Sequence, residues 1–452
     1  MDIRAGVLMS VIQEDTIYMA RLSEVFGVSP DQVLSYVERN NIDEKFQRSL
    51  GTGNHIVVYG ASKQGKTALV SRYLPYDKNV VVRLTPNTNI SDVYASILRQ
   101  LGIEIEIGSE SENSTSSSAT VGIKAKAKLL IFGEGETNAS AKVEAGDRQK
   151  KISKTIPFNL AVAQDISELL HTIKFDKKVI LENFHYLDED KQRELAFDLR
   201  TFQETGIIFV ILGVWRKKDK LRNFCTDLTD RVDDIPVEPW VEPDFRKVIQ
   251  KGSQELNISV SESIVSRVIS NSFGSIGVLQ ELLRECCAAA GVTETCGGDG
   301  GHHLADDSYA DAALSKKCDD YRENHQQDLE LLASGNVTHS KDKEKVPLHL
   351  PYYLVRVIAQ KGYGGIIGGL SRADITDSIK AMHHRPEDVR PSDMSNLLHN
   401  LSGLQFKKKI NPPLVDYDKG KRVLFAIDST FFYFLKNSDL AQFEEELPSP
   451  ME

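Results

Sequence analysis

The sequence predicts a parallel α/β sheet carrying a phosphate-binding loop, followed by helical and small mixed units. Three observations lead there. Four short apolar runs read as buried strands: HIVVY at 55–59, NVVVRL at 79–84, KVILEN at 178–183 and IIFVILG at 207–213. Segments with helical period stand between them, at 90–101, 159–173 and 190–203. The turn after the first run, Gly60-Ala61-Ser62-Lys63-Gln64-Gly65-Lys66-Thr67, has the form G-x-x-x-x-G-K-[ST] between a strand and a helix.

Composition sets outer bounds. At 452 residues the chain has room for two to four domains of about 100–200 residues. With 40% hydrophobic and 27% charged residues it has globular proportions. The formal net charge of −10 excludes nucleic-acid binding over the whole surface, although a local basic patch stays possible. Five cysteines cannot build a disulfide framework, so a reducing compartment is expected. No run of 18 apolar residues is present, and the first twenty residues lack a signal-peptide apolar core. A cytoplasmic protein without membrane contact is the expectation.

The elements follow in order. Residues 17–49 show helical spacing, with a break at Gly27-Val28-Ser29-Pro30 where Ser29 and Pro30 suit an N-cap and first helical position. The tract SESENSTSSSAT at 109–120 is polar and unsuited to a core. Ile123, Ala125, Ala127 and Leu129 alternate with lysines, and Ala139, Ala141, Val143 and Ala145 repeat the alternation, so 121–146 reads as an inserted β-hairpin. Residues 242–291 are helical throughout, and a helix near 308–333 follows a Gly- and Asp-rich stretch. The expected units are an N-terminal helical segment at 1–50, a nucleotide-binding core at 51–241 with its insertion at about 105–150, a helical lid and connection at 242–345, and a last unit at 346–440.

The loop carries the chemistry. Its glycines let the backbone wrap a phosphate chain, and amide N–H groups with the following helix N-terminus, Ala68 included, supply positive potential. Lys66 is expected to reach the β- and γ-phosphates of ATP and Thr67 to ligate Mg²⁺. The second half of such a site is an acid at a neighbouring strand end, offered here by Glu182-Asn183. In one register Glu182 holds the Mg²⁺ shell and Asn183, which cannot accept a proton, stands at the water-activating place; slow hydrolysis follows. In the other, Glu182 is itself the base and hydrolysis is ordinary. Arg216, after IIFVILGVW, either faces the nucleotide crevice or begins the surface run RKKDK. Arg231 serves either as an arginine finger toward a neighbouring subunit or as a structural ion pair.

On GASKQGKT, VILENFHYL, VILGVWR and SFGSIGVLQELL the chain resembles the AAA+ superfamily, especially its STAND and Orc/Cdc6-like branches, over about residues 35–290. The resemblance implies a P-loop NTPase αβα sandwich with sheet order 5-1-4-3-2 and a helical lid. It gives Arg216 the place of a sensor arginine. Gly274-Ser275-Ile276-Gly277 is similar to the Gly-x-Pro turn of the lid, with Ile276 for the proline and Gly277 where Orc-like proteins carry a sensor Arg. It also implies an oligomeric molecular switch, with roles in mobile elements or anti-phage defence among bacterial relatives. A weakly catalytic nucleotide-binding scaffold and an ATP-regulated DNA-binding regulator are the alternatives.

Three helices, at 351–360, 371–382 and 391–404, precede a hairpin signal around Asp418-Lys419-Gly420. That order resembles a winged helix-turn-helix. Residues 346–440 hold 13 Lys/Arg and 9 Asp/Glu, a net of +4 against −14 for the remainder. Lys407, Lys408 and Lys409 after the third helix, with Lys419, Lys421 and Arg422 at the hairpin tip, are the places where DNA or RNA phosphates would be met. Docking of a protein effector is the equal alternative. Cys286, Cys287, Cys296, Cys318, His302 and His303 lack metal-ligand spacing, so free thiols are expected. His185 either positions water or packs at its strand end.

Overall fold

The computed structural model describes residues 19–27, 33–107, 124–132, 151–215, 218–298, 301–335 and 346–451. In chain order the first eight strands are β1 (His55–Gly60), β2 (Val80–Arg83), β3 (Glu104–Ile107), β4 (Lys124–Phe132), β5 (Lys151–Asn159), β6 (Val179–Glu182), β7 (Phe209–Val214) and β8 (Val232–Pro236). Five of them form one parallel sheet in the order β2-β6-β7-β1-β8. Alternation along β1 explains why both faces are covered. Ile56 and Val58 pack with Phe46, Leu69 and Val70 on one side. Val57 and Tyr59 pack with Tyr94, Leu170 and Leu199 on the other. Apolar side chains above and below are what a helix-sandwiched parallel sheet requires.

β3, β4 and β5 form a separate antiparallel sheet. Ala125 and Ala127 are buried beside Phe158, while Lys124 and Lys126 are exposed. β4 begins inside the stretch read as the first hairpin arm, but its nine-residue partner is β5, beyond the expected insertion limit of 150. Residues 139–145, read as the second arm, lie outside the described residues. The partner was misplaced because β5 alternates weakly and the helix read from 159 starts only at Ala163, after Asp165 accepts from the Asn159 amide at 2.7 Å.

Two further expectations change. Residues 33–39 are not helical. Arg39 has extended φ/ψ and its amide donates to Asp43 Oδ2 at 2.8 Å, so the helix begins at Asn40 and runs to Leu50. Residues 28–32, including the Ser29-Pro30 cap, lie outside the described residues. The 242–291 region is interrupted by β9 (Ile258–Val260), which pairs in parallel with β10 (His302–Leu304). Helices Glu242–Glu255, Glu262–Ser270 and Ile276–Ala289 surround it, with Ser308–Ala333 beyond.

The C-terminal unit has its own core around Leu354, Met394, Leu424 and Phe431. Helices Leu350–Ile366, Arg372–Met382, Pro391–His399 and Leu401–Lys407 accompany a small sheet of β11 (Leu370–Ser371, between the first two helices), β12 (Val415–Asp418) and β13 (Val423–Ala426). Ser371 caps its helix by accepting from the Asp374 amide at 3.1 Å, as the capping box predicts. Among the described residues no helix is long and apolar enough to cross a membrane.

One core histidine makes stability depend on acid. His55 is fully buried; one ring nitrogen lies 2.7 Å from the Leu199 carbonyl and the other accepts from the Phe209 amide at 3.0 Å. Burial pushes its pKa down to about 4. The unfolded chain therefore takes up this proton first, from about pH 6.5 downward, and stability falls with acidification. We expect the urea midpoint of the unaltered chain to fall relative to that of His55→Gln between about pH 6.5 and 4. Asp198 and Asp234, both raised to about 6 chiefly by burial, act with the opposite sign in this window. The difference between the two chains thus isolates the imidazole; parallel curves would refute the assignment.

Candidate functional site

The loop between β1 and helix Lys66–Tyr73 sits at the carboxyl end of the parallel sheet, where ligands bind in open α/β folds. Gly65 is the helix N-cap at φ 81°, ψ 21°, a left-handed conformation that glycine adopts without penalty. The Lys66 ammonium curls back over its own loop and donates to the carbonyls of Gly60 at 3.1 Å and Ala61 at 2.6 Å. Burial lowers its pKa to about 8, partly opposed by Glu238. A desolvated cation in a ring of backbone dipoles is suited to receiving an anionic ligand.

β6 ends at Glu182 and places its carboxylate beside the helix start. Thr67 Oγ1 donates to Glu182 Oε1 at 3.4 Å, Tyr76 donates its hydroxyl to the same oxygen at 2.8 Å, and Arg83 pairs with Oε2 at 3.1 Å. Arg83 closes β2 and stands directly opposite Glu182 in the register. Sequence reasoning missed it; two aligned strand ends carrying opposite charges were the available signal. The hydroxyl and carboxylate are hard oxygen donors close enough to share a small divalent cation, so this pair fits Mg²⁺, with Arg83 as its competitor for the carboxylate. Asn183 follows in the left-handed region, φ 61° and ψ 37°, and turns the chain into a short 3₁₀ helix, Phe184–Tyr186.

A cavity of about 320 Å³ opens beside the loop, bordered by Lys66, Thr67, Asn183 and His185 at one end and by Tyr36, Arg39, Trp240, Val248 and Gln280 at the other. The second end was not foreseen. Arg39 lies 3.7 Å from the Trp240 ring centroid and donates to the Val237 carbonyl at 2.8 Å. Trp240 donates to the Gln64 carbonyl at 3.3 Å and stacks on Phe245. Tyr36 donates to Asp43 Oδ1 at 2.5 Å; burial, before the bond to Asp43, raises its pKa well above the usual range, so it stays a neutral donor. An apolar, aromatic end joined to a phosphate-type end is the shape a nucleotide requires.

Helix Ile276–Ala289 and the C-terminal unit both touch the loop. The Gly277 amide donates to the Lys63 carbonyl at 2.9 Å, and a Cβ on Gly277 would stand 2.6 Å from Lys63 Cβ. Where the family resemblance expects a sensor arginine, the chain instead brings helix Ile276–Ala289 into backbone contact with the loop. From the far end of the sequence, Ser429 donates to the Ser62 carbonyl at 3.1 Å and accepts from Gln64 Nε2 at 3.1 Å. The Ser62 amide donates to the Ile427 carbonyl at 3.4 Å. The Lys63 ammonium lies over the Tyr321 ring at 4.9 Å.

The remaining candidates are dispersed. Arg216 lies outside the described residues. Arg231 precedes β8 at the end of the sheet opposite the loop, where it bonds Gln203 Oε1 at 2.7 Å and Glu204 at 3.2 Å: an ion pair. Lys407 and Lys409 are exposed, but Lys408 donates to the Ser334 carbonyl at 2.7 Å. Lys419, Lys421 and Arg422 are exposed at the tip of the β12–β13 hairpin. No group of three or more His, Cys, Asp or Glu able to hold a metal occurs among the described residues. Cys286 and Cys287 are buried thiols, both pushed up to about 12 by burial.

No protein-family model matches the chain, and no curated protein does. Among solved structures it is similar to the Walker-type ATPase PABY2304 of Pyrococcus abyssi, at 14% identity over 91% of this chain and 99% of that one, with TM-score 0.47. It is similar to Cdc6p from Pyrobaculum aerophilum, at 14% identity, 95% and 100% coverage and TM-score 0.39. The Aeropyrum pernix Orc1 protein, solved in complex with DNA, matches at 11% identity, 95% and 99% coverage and TM-score 0.41. At these identities and TM-scores the likenesses carry no functional argument.

Proposed function

We propose that the chain is an ATP-binding switch of the AAA+ kind, with slow Mg²⁺-dependent hydrolysis, in which nucleotide at the loop governs the seating of the C-terminal unit. The observation that supports this most directly is the meeting of residues 62–64 with residues 427–429. A triphosphate cradled by the loop amides reshapes the segment on which Ser429 and Ile427 rest. Mg²⁺ held by Thr67 and Glu182 would neutralise charge on the β- and γ-oxygens. Asn183 offers an amide where a carboxylate would activate water, which favours slow turnover over the reading of Glu182 as base. A reversal of the seating from 1:99 to 99:1 needs about 5.5 kcal/mol of differential affinity, within reach of several charge-assisted phosphate contacts.

The C-terminal unit, read as a winged helix with β12–β13 as its wing, is the output end. The exposed Lys419, Lys421 and Arg422 favour nucleic acid as its partner over a protein effector. Arg231, facing away from the chain's own loop, acts in hydrolysis only if it reaches a neighbouring subunit's site in a homo-oligomer.

Hydrogen exchange tests the coupling. Adding ATP–Mg²⁺ should change protection at residues 60–68 and 427–430 together, at the same nucleotide concentration. Protection of the loop with 427–430 unmoved would overturn the switch and leave a scaffold.

A further inference from the structure

We infer that His185 orients the attacking water for the hydrolysis proposed above, the task that falls to a residue near the γ-phosphate. The inference rests on that ATP reading. It starts from backbone geometry. The left-handed turn at Asn183 folds residues 184–186 back on the strand end. Phe184 is driven into the core, edge-on to Trp215 with centroids 6.1 Å apart. With Phe184 committed inward, His185 borders the cavity that Lys66, Thr67 and Asn183 also line.

Two properties suit this histidine to the task. Its Nδ1 is buried and has no hydrogen-bond partner, whereas both ring nitrogens of His55 are engaged. Buried polar atoms in native proteins are almost always satisfied, so an orphan that is itself closed to water, on a residue that borders the cavity, marks a ring that turns to take its partner when the ligand fills the site. The ring is also neutral. Burial is the main cause and the charges of Lys66 and Lys220 act in the same direction, bringing its pKa to about 3. A neutral imidazole keeps a lone pair, which is what a water O–H needs as an acceptor.

The reaction then balances simply. The water oxygen, held through one O–H by the imidazole, bonds to the γ-phosphorus. The bond from that phosphorus to the bridging oxygen breaks, and its electron pair leaves on ADP. The water proton ends on inorganic phosphate or in solvent.

The test is single-turnover hydrolysis of bound ATP–Mg²⁺ by the full chain, with ATP affinity measured in parallel by calorimetry. His185→Ala should lower the rate about 100-fold and change the dissociation constant less than about 3-fold. His185→Gln keeps an acceptor and should hold the rate within about 10-fold; it also stands in if the alanine variant fails to fold. A rate for His185→Ala within about 2-fold of the unaltered chain overturns the inference while ATP binding stands. ATP bound but never cleaved by the unaltered chain overturns it too. An absence of ATP binding in the unaltered chain removes the ATP reading itself, and this inference with it.

Discussion

Lys66→Met is expected to reduce ATP affinity at least about 100-fold and to leave the fold intact. Charge-assisted hydrogen bonds contribute about 1.5–3 kcal/mol each, and about 1.4 kcal/mol is a factor of ten in affinity. Losing contacts to two phosphates therefore costs at least about 3 kcal/mol of binding. Methionine keeps the length of the side chain and removes its charge and donors. The carbonyls of Gly60 and Ala61 lose their present partner, but the cavity that Lys66 itself borders is large enough to admit water in place of the ammonium. Isothermal titration with ATP–Mg²⁺, alongside thermal unfolding, reads both quantities. Equal affinity in the two chains would show that nucleotide, if bound, sits elsewhere, and would end the functional reading as a whole.

Lys317→Met is expected to destabilise the chain by about 3–5 kcal/mol, the cost of breaking a buried ion pair from one side. The Lys317 side chain is only 7% exposed. Its ammonium reaches Asp320 Oδ2 at 2.9 Å and Glu281 Oε2 at 3.1 Å, with Glu285 Oε1 at 3.9 Å. Burial alone would lower its pKa, but hydrogen bonds to Asp320 and Glu281 outweigh burial and hold it above the ordinary value. Glu281 and Glu285 belong to the lid helix and Lys317 to the long helix against it, so the lysine joins the two. Without it two nearly buried carboxylates keep only Arg284 and Lys316. Guanidinium unfolding measures the loss. The double change Lys317→Met with Glu281→Met should recover part of it, because two apolar groups replace a half-empty pair. A single-variant loss under about 1 kcal/mol would mean that solvent already screens the network.

What could be read from the sequence divides by range. The phosphate loop was legible because its demands are local: a strand before, a helix after, glycine at the left-handed cap. The central strands were legible because a parallel sheet covered on both faces leaves uninterrupted apolar runs such as VILE and FVIL. Helix Ser308–Ala333 and the helix from 371 to 382 were read from spacing alone. The failures are long-range. Nothing near Arg39 announces Trp240, some two hundred residues on, as the ring it covers. Arg83 gained its meaning only when β2 and β6 fell into register. Ser429 drew no attention in the sequence and is a neighbour of the loop at 60–67. Residues 33–39 misled because Val33 and Val37 have helical spacing but line the cavity from a non-helical segment with a turn at Leu34–Ser35.

The contact between Gln64 and Ser429 spans 365 positions. During synthesis the glycine-rich turn leaves the ribosome well before residues 427–429. A nascent chain stalled short of residue 412 would display the cradle without Pro412 in its lining. The pocket thus takes its full shape only once residues 412–429 have been released to join it.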